Sequence, residues 1–360
     1  MPAPPSTDRN AERAVATYTA LQQYFYQPEA KLYLEQFPRT GGNPFAFHWP
    51  FSQALAATVD LAGVPGIGSR YAAEVPDRLA GAEYYWETRT GPPAYASYVV
   101  PPRGQSGDKY YDDNEWTALE LVQIHRVTGN VDALRRAQQI FDFVVSGWDG
   151  DPSHPAPGGV FWVQASWNRD RNTVSNAPGA ELGLHLYELT GQRPYLEWAK
   201  RMYDWVNAYM LAPNGLYWDH VDLNGTVDRT LWSYNQGTMI GAGALFYRAT
   251  REPAYLGRAE RTADLALEHY GSANRFFNQD PPFNAIFFKN LLLLASVNGN
   301  RKYRDAMQSY ADQAWNTVRD PATGLFRFGG AGPVKLLDQA ALAQIYACLA
   351  WDPASYRNLA

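Results

Sequence analysis

The sequence predicts an all-α fold, an (α/α)6 barrel (toroid) of six inner and six outer helices, with short β-hairpins in the loops at one mouth. Two observations predict it. The chain repeats a two-helix unit with a period near 60 residues. Within each unit an amphipathic, charged helix alternates with an almost uniformly apolar one. A helix that is apolar all round must be buried on all sides, so the apolar helices form the inner ring.

The repeat is visible at equivalent positions 71, 133, 195, 255 and 303, which are separated by 62, 62, 60 and 48 residues. Each interval is long enough for two helices and their connecting loops. An open α-solenoid is the structural alternative, but solenoid repeats of this kind are shorter, about 34 to 47 residues. The period therefore favours the closed toroid.

The helical periodicity assigns each element in turn. Outer helices are predicted at 11–24, 71–86, 131–145, 195–209, 254–269 and 301–315, and inner helices at 52–62, 116–127, 180–189, 238–247, 285–297 and 340–351. Gly-aromatic segments at 159–162, 215–218 and 324–326 predict short strands at one mouth. Residues 1–10 are expected to be a Pro-rich flexible N-terminus, and residues 11–360 a single catalytic domain.

Composition narrows the classes of partner. The formal net charge is −5 and no run of Lys or Arg occurs, so no nucleic acid is expected. No apolar stretch approaches 18 residues, so no membrane partner is expected. The single Cys348 excludes an intrachain disulfide and a Cys-based metal site. We expect no cofactor, no metal and a monomeric protein. The sequence shows no signal peptide, so we expect a cytoplasmic location, or secretion if a signal segment was removed.

The most informative segment is the aspartate pair Asp112-Asp113, which stands immediately before an apolar helical pattern. The positive end of the helix dipole stabilises negative charge at that position. Two neighbouring carboxyl groups repel, so one should hold its proton while the other stays ionised. An acid and an anion flanked by aromatic rings suggest glycosidic bond cleavage. Plain helix capping is the alternative explanation.

The other predicted inner helices also begin with polar clusters, and all six should open at the same end of a toroid. Together with aromatic loops above them, these clusters predict a polar ligand pit, and sugar rings stack on aromatic faces. The alternative is that all six are helix caps. The substrate-binding candidates are His48, Trp49, Gln53, Tyr111, Asn114, Trp116, Asn176, Asp219, Tyr234, Asn235, Gln236, Lys289, Asp338 and Gln339.

The run Tyr111-Asp112-Asp113-Asn114-x-Trp116 resembles the twin-aspartate signature of glycoside hydrolase family 76, the endo-α-1,6-mannanases. The blocks at 175–176, 234–237 and 288–289 are similar to further family blocks in the same order, so the resemblance covers about residues 45 to 350. It implies an (α/α)6 barrel and retaining cleavage of α-1,6-linked mannose in mannan-type polysaccharide. It also implies that Asp112 is the nucleophile and Asp113 the general acid/base.

The chain departs from the family pattern at two places. Glu115 stands where a small residue is usual, and Asn290 follows Lys289 where glycine is usual. The catalytic pair is unaffected by these departures. They bear on the sugar subsites, and so on the choice between endo and exo cleavage, with endo favoured.

The spacing of the acids gives a separate expectation. Adjacent residues have Cα atoms about 3.8 Å apart, so their carboxyl groups reach the separation of about 5–5.5 Å that retaining glycosidases need. If Asp219 or Asp338 were the base instead, inversion would become possible. Two other functions stay open at this point: a sugar epimerase or isomerase on the same toroid, which would rely on His, and a non-catalytic glycan-binding protein.

Overall fold

A computed structural model describes residues 6–360 of the chain. Helix α1 (Ser6–Phe25) begins five residues before its predicted start, so residues 6–10 are helical. The first half of the predicted flexible N-terminus, residues 1–5, lies outside the described residues. No helix in the described part of the chain is long and apolar enough to cross a membrane.

Six inner helices form a ring, as predicted. They are α2 (His48–Ala62), α5 (Tyr111–Thr128), α7 (Ala177–Thr190), α9 (Ser233–Thr250), α11 (Pro281–Asn298) and α13 (Leu336–Ala350). Each packs against the next in this order, and α13 packs against α2 and so closes the ring. Every inner helix starts three to five residues before its predicted start, because its first turn contains polar residues, proline or glycine that interrupt the apolar pattern.

Outer helices surround this ring. Besides α1 they are α6 (Val131–Ser146), α8 (Arg193–Tyr209), α10 (Pro253–Gly271) and α12 (Lys302–Thr317). The outer helix predicted over 71–86 is broken instead into α3 (Gly68–Ala72) and α4 (Val75–Ala82). Pro76 explains the break, because proline lacks an N–H and clashes with the carbonyl four residues earlier, so it is tolerated only in the first turn of α4. Short 3₁₀ helices span Glu83–Tyr85, Thr173–Ser175, Ser272–Asn278 and Pro353–Asn358.

Short antiparallel strands connect the helices. The pairs are β1 (Tyr26–Gln27) with β2 (Leu32–Tyr33), β3 (Gln36–Phe37) with β11 (Val334–Lys335), β4 (Trp86–Glu87) with β5 (Ala94–Tyr95), and β6 (Lys109–Tyr110) with β7 (Val163–Gln164). β8 (Asp170–Asn172), β9 (His220–Asp222) and β10 (Val227–Asp228) form a sheet in the order β10-β9-β8. The Gly-aromatic segments form isolated bridges at Val160, Phe161, Tyr217 and Phe326.

A repeated amide contact ties the connecting segments to the inner helices. Asn114 accepts a hydrogen bond from the backbone N–H of Tyr95 at 2.8 Å, and donates to the carbonyls of Tyr95 and Tyr110 at 2.9 and 2.8 Å. The pattern recurs for Asn176 with Val160 and Asn172. Each amide thus completes a strand-like pairing and also bonds the free carbonyl four residues before it.

The same amide contact appears further round the ring. Gln236 bonds both backbone groups of Tyr217 and the carbonyl of Trp232. Gln339 accepts from the Phe326 N–H and donates to the carbonyls of Thr17 and Gly324. Many of the polar side chains at the inner-helix starts therefore have a structural role, although that role is not helix capping. These side chains bond the neighbouring segment and not the helix's own N–H groups.

Candidate active site

An open cavity of about 630 Å³ lies at the mouth of the barrel where the inner helices begin. Its wall combines carboxyl groups with aromatic rings. The lining residues are Glu35, Phe47, Trp49, Pro50, Ser97, Tyr110, Asp112, Asp113, Trp116, Trp162, Asp170, Asn172, Val174, Asp219, His220, Tyr234, Phe283, Ile286 and Leu337. Acids among aromatic walls suit a ligand that offers both hydroxyl groups and flat C–H faces.

Asp112 and Asp113 lie in the first turn of α5 and both line this cavity. Tyr110, the residue before the helix, does not cap it with its side chain. The N–H of Tyr111 donates to the Trp162 carbonyl at 3.0 Å, and the N–H groups of Asp112 and Asp113 bond the Asp112 carboxylate, so the helix start stabilises negative charge at Asp112. Both acids that the sequence predicts as the catalytic pair therefore lie at the cavity.

The environments of the two carboxyl groups differ. Burial raises the pKa of Asp112 to about 7, and the hydrogen bond from Trp162 Nε1 to Asp112 Oδ2, at 3.2 Å, opposes that rise. Burial and then the charge of Asp112 raise the pKa of Asp113 well above its ordinary value. Because only Asp112 receives the indole N–H, Asp112 is the easier of the two to ionise. The pair thus carries one anion and one proton over a range of pH.

A further carboxyl group, that of Asp219, lines the same cavity as the pair. Asp219 Oδ2 lies 2.8 Å from His220 Nδ1, and Asp219 Oδ1 accepts from Asn235 Nδ2 at 3.3 Å. The hydrogen bond to Asp219 raises the pKa of His220. Burial, followed by the charge of Asp219, raises the pKa of the Tyr234 hydroxyl. These groups form a hydrogen-bonded rim that is suited to holding sugar hydroxyls.

Four of the predicted substrate-binding residues line the cavity: Trp49, Trp116, Asp219 and Tyr234. Trp49 stacks on Phe283 with ring centroids 6.1 Å apart, and Tyr234 meets the same ring edge-on at 4.3 Å. Asn235 stands behind Asp219 and is fully buried. Trp49, Phe283 and Tyr234 thus form an aromatic wall of the cavity that also contains the acids.

The structure places the remaining predicted binding residues outside the cavity wall. Asn114, Asn176, Gln236 and Gln339 make the structural amide contacts described above. Tyr111 is buried against Phe143, with stacked rings 4.5 Å apart. Asp338 is 8% exposed in the first turn of α13, where burial raises its pKa to about 6, and its neighbour Leu337 reaches the cavity instead.

His48, Gln53 and Lys289 also lie inside the protein. His48 is fully buried, stacks on Tyr95 at 4.8 Å and faces Thr117 Oγ1 at 3.2 Å, and burial lowers its pKa to about 3. Gln53 bonds Glu120 and Gln344 within the barrel. Lys289 Nζ pairs with the buried Asp60 at 3.0 Å. The sequence predicts substrate binding for all three because they lie on or just before inner helices, but it does not reveal which way each side chain points.

The cavity also contains residues that sequence reasoning did not select. Trp162, Tyr110, Phe283, Asp170, Asn172 and Glu35 are the most prominent. Trp162 belongs to a Gly-aromatic segment that was predicted only as a strand, so a signal for it was present. Asp170 and Asn172 lie on β8, and only the pairing of β8 with β9 brings them to the mouth.

The two departures from the family pattern point into the protein and away from the cavity. Glu115 is fully buried, and neither carboxylate oxygen has a hydrogen-bond partner within the described residues. Burial, then the charges of Asp112 and Glu181, raise its pKa well above the ordinary value. Asn290 is also buried, next to Gly241 and Glu181.

One group of side chains could hold a metal ion among residues 6–360. Asp219, His220 and Asp228 offer ligand atoms within 4.8 Å of one another. The contact between Asp219 and His220 already accounts for their closeness, and Asp228 is exposed. We assign no metal to this group.

The chain is similar in sequence to known proteins. The family model described as Glycosyl hydrolase family 76 matches residues 9–325. The chain is 34% identical over 122 residues to a mannan endo-1,6-alpha-mannosidase of Candida glabrata, an alignment that covers 31% of this chain and 27% of that relative. The chain thus spans about a quarter of the length of this curated relative.

Solved structures share the whole fold. A family 76 mannosidase of Bacteroides thetaiotaomicron VPI-5482 superposes with a TM-score of 0.85 at 25% identity, covering 95% of this chain and 98% of that one. An inactive variant of a Salegentibacter α-1,6-mannanase in complex with α-1,6-mannotriose superposes with a TM-score of 0.77 at 21% identity, covering 95% and 99%. The helical toroid, the cavity with its aspartate pair and a family match over most of the chain lead to one conclusion: this protein belongs to glycosyl hydrolase family 76.

Proposed function

We propose that this protein is a retaining glycoside hydrolase that cleaves α-1,6-linked mannose within mannan-type polysaccharide. The observation that carries the proposal is the unequal pair at the start of α5. Asp112 receives the indole N–H of Trp162, and Asp113 beside it holds its proton more tightly. The α-1,6-mannan substrate is supported by the similarity to the mannan endo-1,6-alpha-mannosidase of Candida glabrata.

The first step uses both acids. A carboxylate oxygen of Asp112 attacks the anomeric carbon as the glycosidic C–O bond breaks, and Asp113 transfers its proton to the departing oxygen. The sugar is then an ester of Asp112, and Asp113 is ionised. The Trp162 N–H stabilises Asp112 as an anion before attack, and it also stabilises the carboxylate that leaves in the second step.

The second step reverses the roles of the acids. Asp113 takes a proton from water, the water oxygen attacks the anomeric carbon, and the ester bond to Asp112 breaks. Asp112 returns as a carboxylate and Asp113 as an acid, so the pair is ready for another turnover. Two inversions at one carbon give net retention of the α configuration.

Incubation with linear α-1,6-mannan tests the proposal, with reducing ends and the released anomer followed by NMR. We expect α-configured oligosaccharides of several lengths, and nearly complete loss of release in Asp112→Asn and in Asp113→Asn while the folded state is kept. A β-configured first product would instead indicate inversion with Asp219 as base. Binding of the polymer without release would indicate a glycan-binding protein, and normal turnover by either Asn variant would contradict the assignment of the pair.

A further inference from the structure

An exposed tryptophan stands just beyond the cavity, on the side of Trp162. Trp167 is 56% exposed, the largest exposed fraction among the large hydrophobic side chains of the described residues. Single exposed hydrophobic side chains are common on protein surfaces, but this ring also has a fixed orientation and packs against a ring of the cavity wall.

Two contacts fix the orientation of this ring. Trp167 Nε1 donates to Asp108 Oδ2 at 3.1 Å, and its ring meets Trp162 edge-on, with centroids 6.5 Å apart and an interplanar angle of 84°. Trp162 in turn contacts Asp112 through its own N–H. Trp162 therefore lies between Trp167 and the aspartate pair.

The surroundings of Trp167 supply polar groups that a sugar would need. Asp108 is exposed, and Asp170 lies at the cavity edge on the strand that follows the Trp167 loop. Asn168, the residue after Trp167, orients the loop because its side-chain Nδ2 donates a hydrogen bond to the carbonyl of Asp170 at 3.1 Å. Carboxylate oxygens accept from sugar hydroxyls, while the indole face takes the C–H face of the ring.

We propose that Trp167 forms an outer sugar subsite, a stacking platform for a mannose unit of the polysaccharide chain that continues out of the cavity on the Trp162 side. This inference rests on the proposed function. Trp167 is then a specificity-determining residue that favours longer chains. The aspartate pair acts on any chain that places a glycosidic bond beside it.

A length series of α-1,6-mannooligosaccharides, from two to six units, tests the subsite. For the wild-type enzyme, kcat/KM should rise when the added unit reaches Trp167. For Trp167→Ala we expect that increment to fall by roughly three- to tenfold, with unchanged kcat/KM on chains too short to reach the ring. Trp167→Phe keeps an aromatic face and should retain part of the increment. Tyr209→Ala, at another exposed ring on α8, is the matched control and should leave the length dependence unchanged.

Substitutions of Asp108 provide a second, independent test of the subsite. Asp108→Ala removes the acceptor that holds the indole and should reduce the same increment, whereas Asp108→Asn keeps an acceptor oxygen and should reduce it less. Equal loss at every chain length, or no loss in Trp167→Ala, would overturn the subsite while leaving the proposed function intact. If the wild-type protein cleaves none of the series, the proposed function and the inference that rests on it are both overturned.

Discussion

The indole N–H of Trp162 lies 3.2 Å from Asp112 Oδ2, and this contact makes the two neighbouring aspartates unequal. Asp112 and Asp113 share a helix turn, a cavity and a strong effect of burial on the pKa. Only one of them receives a donor from outside the helix. A segment about 50 residues further along the chain therefore decides which acid is the anion.

Removing the Trp162 donor should change the pH dependence of the reaction. In Trp162→Phe the pKa of Asp112 rises, because the hydrogen bond that favours its ionised form is gone. Since turnover needs Asp112 ionised, the acid limb of kcat/KM should move from about 7 to higher pH. At neutral pH the rate should fall about ten- to hundredfold. Trp167→Phe, measured on a short substrate, is the control, because that indole does not contact Asp112. An unmoved acid limb in Trp162→Phe would contradict this role.

Azide should distinguish the roles of the two acids. With an aryl mannoside whose leaving group needs no proton, Asp113→Ala still forms the glycosyl ester, and azide then attacks it to give the α-mannosyl azide. Asp112→Ala forms no ester, so azide can enter only from the opposite face and gives the β anomer. We expect turnover on unactivated mannan to fall at least ~10³-fold in both variants. Identical azide products from the two variants would contradict the assigned roles.

The buried Glu115 should make stability depend on pH. Its pKa is raised in the folded state, so the native protein keeps a proton that the unfolded chain releases above its ordinary pKa of about 4.3. The contribution of Glu115 to the free energy of unfolding should therefore be largest below that value and fall as the pH rises toward the folded-state pKa, by up to about 1.4 kcal/mol per pH unit for this one proton. Glu181, which faces Glu115, has a raised pKa from burial and contributes in the same direction.

Glu115→Gln should remove the share of this slope that belongs to Glu115. Urea unfolding between pH 5 and pH 8 would measure it, with the slope of stability against pH as the readout. Glu197→Gln, on the exposed face of α8, is the matched control and should leave the slope unchanged. A slope in Glu115→Gln as steep as in the wild-type protein would show that Glu115 titrates normally in the fold.

The amide contact of Gln236 should stabilise the barrel more than a surface amide does. Gln236→Ala leaves the buried N–H and carbonyl of Tyr217 unpaired, which should lower the free energy of unfolding by about 2–4 kcal/mol. Gln192→Ala, at an exposed helix start where the side chain makes no capping bond, should change it by less than about 0.5 kcal/mol. Thermal or denaturant unfolding compares the two, and equal effects would contradict a structural role for the amide.

The sequence by itself determined the helical toroid and the place of the aspartate pair. The 60-residue period and the alternation of charged and apolar helices are local patterns, and burial follows from them directly. The same patterns located the polar inner-helix starts and the Gly-aromatic segments. Asp112 and Asp113 stand out because adjacency fixes the separation of their Cα atoms without any knowledge of the fold.

Only the tertiary structure decided which polar residues face the cavity. Asn114, Asn176, Gln236 and Gln339 look like ligand contacts in the sequence, yet each bonds a backbone segment that is distant in the chain. Trp162, conversely, acquires its role through the pairing of β6 with β7, which carries it to the start of α5. A hydrogen bond between distant segments depends on where the ring of helices closes, and an error of half a helical turn, about two residues, reverses whether a side chain meets the cavity or the wall.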